Sequence, residues 1–190
     1  KLDNRISKTY AELTDATNKN SLYDSYLKAF RWSSDRLDTL NGGIIAFVSN
    51  GSWIDGNSAN GFRKCLEKEF TTIYILNLRG NARTQGELRR KEAGNVFGGG
   101  SRTPITITLL VKNPIIKNKT ATIFYHEIED YLSKEEKLNY VKKYGSICNS
   151  DMIWNLLQTN EHADWISKRN DLFETFIPLG DKENKKNLLT

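Results

Sequence analysis

The apolar positions of this chain change period several times, and the changes divide it into elements. Ile44, Ile45, Ala46, Phe47 and Val48 run without interruption between Asn41-Gly42-Gly43 and the polar turn Ser49-Asn50-Gly51-Ser52-Trp53. A run this short, framed by turn residues, predicts a strand covered on both faces at the centre of a sheet. Upstream, Ile6, Tyr10 and Leu13 keep helical spacing and predict a short helix within 3–15. Ser21 then stands as N-cap to a helix over 22–37, with Tyr23, Tyr26, Leu27, Phe30 and Leu37 on one stripe. Downstream, Ser58 opens a helix to Phe70 that turns Phe62, Cys65 and Leu66 inward. Thr71 to Leu78, rich in β-branched and aromatic residues, reads as the next strand. Strand, helix, strand in this order predicts a right-handed crossover that lays both strands parallel in one sheet.

From Arg79 to Thr103 the period disappears, and a structureless loop of about 25 residues is more often functional or disordered than ordinary. Pro104 ends it. Ile105 to Val111 and Ala121 to Ile128 predict two further strands, and the short Lys/Asn-rich connection between them suits an antiparallel pair at the sheet edge. Ser133 caps a helix over 134–144, with Glu135 and Glu136 in its first turn, Lys142 and Lys143 in its last, and Gly145 closing it. Trp154, Leu156, Trp165, Phe173, Phe176 and Ile177 then predict short helices that pack on a neighbour, and the chain after Pro178 reads as frayed or a linker. The fold class expected is α/β: a mixed sheet with strands near 43–49, 72–78, 104–112 and 121–127, flanked by helices, with a helical C-terminal tail. The domains expected are 1–130 and a helical connection over 131–190.

Composition narrows the partners. A chain of 190 residues with 38% hydrophobic content holds one domain with a real core, and disorder throughout is excluded. A net charge of +5 and a pI near 9.1 favour polyanions, although distribution matters more than the total. Cys65 and Cys148 are too few for a disulfide framework, so two buried thiols in a reducing cytoplasm are expected. The chain opens on Lys1 rather than Met, as a processed chain or an excised piece would. No stretch approaches the roughly 18 apolar residues of a membrane span.

No self-contained catalytic set is visible. His126 and His162 lie far apart and outside metal-ligand spacing. Ser49 and Ser52 lack the nucleophile-elbow pattern. Gly98-Gly99-Gly100 lacks the Lys-Ser/Thr of a phosphate loop and precedes a strand. What stands out is the 79–103 loop, where Arg79, Arg83, Arg89, Arg90, Lys91 and Arg102 alternate with glycines. Glycine permits close backbone approach and guanidinium suits phosphate oxygens, which favours nucleic acid. The alternative is a solvated loop whose arginines pair with Glu87 and Glu92. Phe97 is either a stacking platform for an extruded base or an anchor that pins the loop. The Tyr23, Tyr26, Phe30 stripe reads as core.

Leu22-Tyr23 and Tyr26, then Gly42-Gly-Ile-Ile-Ala-Phe-Val-Ser-Asn-Gly-Ser-Trp53, a helix, Ile73-Tyr-Ile-Leu, an aromatic at Phe97 and Ile105 to Lys112 resemble, in that order, the second half of the methyltransferase fold of DNA adenine-N6 methylases. The order is most similar to that of the long single-chain type ISP restriction-modification enzymes, which join nuclease, helicase-like ATPase, methylase and target-recognition parts. The resemblance covers about residues 1–178 and implies a partial Rossmann-like fold. It further implies a parent protein that takes S-adenosylmethionine, flips an adenine out of DNA and methylates its exocyclic nitrogen. The family's Asn-Pro-Pro-Tyr and its glycine-rich cofactor motif occur nowhere in these residues, so the segment would not methylate DNA alone and would bind no cofactor by itself. By position, Leu22, Tyr23 and Tyr26 would line the adenine side of the cofactor. Ser49, Asn50 and Trp53 would border the target-base cleft, Phe97 would stack on the flipped base, and the basic loop would face DNA phosphates. The partners implied are DNA and the remaining parts of the parent chain. The rival readings are a non-catalytic nucleic-acid-binding or assembly module and a structural coupler between motor and target-recognition parts.

Overall fold

A computed structural model describes residues 1–98, 100–117 and 119–167, together with Arg169, Leu172 and Thr175. Gly99, Phe173, Phe176, Ile177 and the stretch after Pro178, on which expectations were placed, lie outside the described residues. The framework is a five-stranded sheet in the order β1-β3-β2-β4-β5: β1 is Gly43–Asn50, β2 Thr72–Asn77, β3 Ile105–Lys112, β4 Thr122–Glu127 and β5 Asn155–Leu156. β3 runs antiparallel to both β1 and β2, and β4 runs parallel to β2. The sheet is therefore mixed, and helices cover it.

The crossover expectation holds in direction. β1 and β2, both antiparallel to β3, are parallel to each other, but β3 is inserted between them. Two placements need correcting. β1 is an edge strand and not the centre; Ile45 is buried, whereas Ile44 is 65% and Val48 54% exposed. A short apolar run has the same appearance whether it is buried on two faces or on one. Likewise β3 and β4 are not paired, because β2 lies between them.

On one face, α1 (Leu2–Ser7), α2 (Tyr10–Leu13), α3 (Ser25–Ser34) and α4 (Asn60–Glu69) enclose the main core. Tyr10, Phe30, Trp53 and Phe62 meet there edge to face, on Ile45, Ile73, Ile75 and Leu110 of the sheet. The helix expected over 22–37 is two pieces: a 3-10 turn over Asn20–Tyr23 and then α3, broken where Asp24 adopts extended backbone. Close packing also sets a glycine. A Cβ on Gly61 of α4 would lie 2.0 Å from the Tyr10 carbonyl oxygen, so only glycine lets α2 and α4 approach this closely.

On the other face, α6 (Lys134–Tyr144) closes a second apolar cluster of Leu76, Leu78, Val96, Ile105, Ile128 and Met152. Its ends are as expected. Ser133 and Glu136 form a reciprocal capping box, and Gly145 is left-handed at φ +59. Beyond it, residues 145–167 carry β5 and turns and not the short helices expected there, because Leu157 hydrogen-bonds Ile123 and Asn155 pairs with Tyr125. Trp165 is buried against Trp53, and Trp154 packs on Tyr74 and His126. The neighbours these two tryptophans need are within the chain. Cys65 is buried as expected, but Cys148 is exposed. Among the described residues no helix is long and apolar enough to cross a membrane.

Candidate functional site

The carboxyl ends of β1, β2 and β4 open into a polar cleft of about 190 Å³. In open α/β sheets this edge is where ligands bind. Gly51, Ser52 and Asp55 line it from the turn after β1, Asn77 from the end of β2, and Tyr125 and Glu127 from β4. The turn is close-packed. The Gly51 amide donates to the Pro104 carbonyl at 2.8 Å, and a Cβ there would lie 2.4 Å from the Thr106 methyl. At the floor, the Tyr125 hydroxyl accepts from Asn77 at 2.9 Å and donates to Glu127 at 3.0 Å. Burial holds that phenol well above its ordinary range, so it stays a neutral donor. With Asp55, Glu92 and Glu127 around it, the cleft offers acceptors, and an anion would be repelled.

Beside the cleft lies the 79–103 segment, which is not structureless. It contains α5, Gly86–Glu92, and its root is tied down by charge. Arg79, at φ +55, donates Nε to the Ile128 carbonyl at 2.9 Å and pairs with Glu127 and Asp130, both at 2.9 Å. Glu92 accepts from the Asn81 amide at 2.8 Å, while fully buried Lys137 donates to the Glu92 carbonyl. Burial lowers the Lys137 ammonium to about 8. Tyr131 closes the outside of α5 through Glu87 at 2.6 Å.

This division sorts the basic residues. Arg79 is spent on the root, Arg89 donates to the Ala93 carbonyl, and Lys91 pairs with Asp130 at 3.2 Å. Arg83, Arg90 and Arg102 are exposed, and the contact of Arg90 with Glu87 is a 3.5 Å surface pair of little strength. Of the six basic residues expected at phosphates, Arg83, Arg90 and Arg102 are thus the exposed ones, and Arg79, Arg89 and Lys91 make contacts within the segment and its root. Of the two roles open to Phe97, the anchor is taken by its neighbour: Val96 is buried in the second cluster, whereas Phe97 is 62% exposed. Asn95 fixes the pair, accepting from the Phe97 amide at 3.0 Å and donating to the Thr103 carbonyl at 2.8 Å.

The remaining expected site residues divide less favourably. Trp53 is 1% exposed and belongs to the core, so its side chain does not border the cleft. Ser49 and Asn50 are half-buried, and Asn50 serves the turn by accepting from the Ser52 amide at 2.9 Å. Leu22 is wholly buried, while Tyr23 and Tyr26 are half-buried against the same core. Burial raises the Tyr26 phenol to about 12. Two tyrosine flanks do not enclose a cofactor, and these residues alone do not fit S-adenosylmethionine. His126 is structural, its ring nitrogens engaged by the Ile153 carbonyl at 2.6 Å and by the Tyr140 hydroxyl.

Sequence reasoning missed Arg63 and Ile166. Arg63, 1% exposed, donates to the Trp53 and Gly56 carbonyls at 2.7 and 2.8 Å and to the Ala163 carbonyl at 2.6 Å, and lies 3.6 Å from Asp164. Burial lowers its guanidinium to about 10, which leaves it charged at neutral pH. Burial also opposes ionisation of Asp164, but hydrogen bonds from Asn160 and Arg169 and the charges of Arg169 and Arg63 bring it below the usual carboxylate range. Ile166 completes the cleft lining.

No protein-family model and no curated protein sequence matches the chain. Solved structures do. A nuclease-deletion mutant of the type ISP restriction-modification enzyme LlaGI, in complex with a DNA substrate mimic, is similar over 95% of this chain at 43% identity and a TM-score of 0.84. The ATP-dependent type ISP restriction-modification enzyme LlaBIII, bound to DNA, is similar over 96% at 38% identity and a TM-score of 0.87. DrdV, in a complex with DNA, is similar over 98% at 34% identity and a TM-score of 0.83. The chain spans 14%, 12% and 18% of those proteins, respectively.

Proposed function

We propose that this chain is a segment of a restriction-modification enzyme that acts on DNA, and within it the second half of an adenine-N6 methyltransferase module. The observation that carries the first part is similarity of nearly the whole chain, at 34–43% identity, to segments of proteins held on DNA. The finer assignment is supported by the open sheet. β1 has no strand on its outer side among the described residues, and a first half carrying the cofactor and catalytic motifs would add its strands at that edge; Ile44 and Val48, exposed on the face opposite Ile45, would be covered by its other elements. S-adenosylmethionine, bound chiefly by that half, would supply the methyl group. The acceptor-rich cleft suits a base edge that bears an amino group, and Phe97 suits its face. DNA, the other parts of the parent chain and a cytoplasmic setting complete the reading.

The direct test supplies the full-length protein with methyl-labelled S-adenosylmethionine and duplex DNA. Label recovered as N6-methyladenine is the expected result; label in no base, from protein that binds the duplex, overturns the methylase assignment. The loop makes a separate prediction. Replacing Arg83, Arg90 and Arg102 by alanine should make the slope of log affinity against log salt shallower by about two to three, because each lost phosphate contact removes about 0.9. An unchanged slope would take these residues out of the interface.

A further inference from the structure

Arg63 joins two pieces of chain, the second of them a hundred residues beyond Arg63 itself. One is the turn after β1, whose Gly51, Ser52 and Asp55 form a wall of the cleft; the other is the knot over 160–166, which contributes Ile166 to the same cleft. The guanidinium reaches carbonyls on both pieces, so it sets the distance between them.

The knot is built, not merely laid against the surface. Asn160 accepts through Oδ1 from the amides of His162 and Asp164 and through its carbonyl from the Ala163 amide. Ala163 sits at φ +56, a left-handed conformation that costs a non-glycine residue energy and persists only where the surroundings over-determine it. Its carbonyl is the one that accepts from Arg63 Nε. Next to it, Trp165 donates to Glu67 of α4 at 2.5 Å and packs at 5.5 Å from Trp53. A planar, fixed fork of donors is suited to this task, and lysine's single ammonium is not.

We infer that Arg63 is a positioning residue for the cleft and that the 160–166 knot is one of its walls, with Ile166 held against whatever nucleobase occupies it. This rests on the reading of the cleft as the target-base side of a methylase. The arrangement of the chain from Asn160 onward is thereby coupled to the shape of the site: a shift of the knot moves Ile166 and, through Arg63, the Trp53 and Gly56 carbonyls.

The test uses the full-length protein and duplex DNA, with kcat and KM for methyl transfer, duplex affinity and thermal midpoint measured for Ile166→Ala and Arg63→Lys, and Phe97→Ala as reference. Ile166 is 40% exposed, so its truncation leaves the fold intact. The expected result is a fall in kcat of about tenfold for both variants with KM and duplex affinity within about twofold, since small misplacements cost rate and not encounter. A kcat unchanged in Ile166→Ala, while Phe97→Ala is impaired, overturns the inference and leaves the methylase reading standing. Unchanged rates in all variants overturn the inference and the placement of the target base in this cleft. If Arg63→Lys fails to fold, Ile166→Ala decides the matter alone.

Discussion

Replacing Phe97 by alanine in the full-length protein should lower methyl transfer by about ten- to a hundredfold while duplex affinity changes by less than about threefold. Stacking on an aromatic face is worth about 1–3 kcal/mol per base, and it is realised only once the base has left the helix. The structure adds the reason why the loss is not made up by a neighbour. Val96 is committed to the second cluster, and the Asn95 bonds to the Phe97 amide and the Thr103 carbonyl fix the backbone that presents the ring. If, as proposed, the exposed Arg83, Arg90 and Arg102 hold the backbone of the duplex, encounter should survive in the variant. Comparable, small losses of rate and affinity would instead assign the chain to binding or assembly. Phe97→Trp, which keeps a π face, should recover most of the rate.

How far the chain was legible depended on where the partners of each residue lie. β1 to β4 and α6 were readable because their signals are local: β-branched runs, the Ser133–Glu136 capping pair, Gly145 at the end; the two residues of β5, set by pairing with β4, were not. α5 was not, because Gly86–Glu92 has no apolar stripe. Leu88 is 63% exposed, and contacts outside the helix hold it, from Tyr131 to Glu87 and from Asn81 to Glu92. Sheet order was not readable either, since the insertion of β3 between β1 and β2 is a non-local pairing that no window of sequence contains. The site shows both sides of this. Phe97 and the basic loop stood out by composition, yet composition does not reveal that Arg79 is consumed by Glu127 and Asp130. A signal for Arg63 was present: it falls between Phe62 and Leu66 on the inward stripe of α4, one of the few positions where a charge demands a partner. That partner, at 163–164, is a hundred residues away.

The largest stability effect should come from Trp53, and its sign separates core from cleft. Placed at the site's border by its position in the motif, Trp53 is instead ringed by Phe62 at 5.2 Å, Trp165 at 5.5 Å and Phe30 at 6.0 Å. Trp53→Ala removes the side chain that links α3, α4 and the knot, and core truncations of this size cost about 3–5 kcal/mol because the cavity only partly collapses. Among the described residues the indole N–H has no hydrogen-bond partner, so Trp53→Phe gives up volume but no polar contact and should cost about 1–2 kcal/mol. Denaturant unfolding of the two variants checks the order. If Trp53→Ala unfolds at the wild-type midpoint but loses methyl transfer, the residue belongs to the site after all; if it unfolds early and Trp53→Phe keeps most of the stability and the rate, its contribution to the cleft is made through the Trp53 carbonyl that Arg63 holds, which any side chain on that backbone can provide as long as the core remains filled.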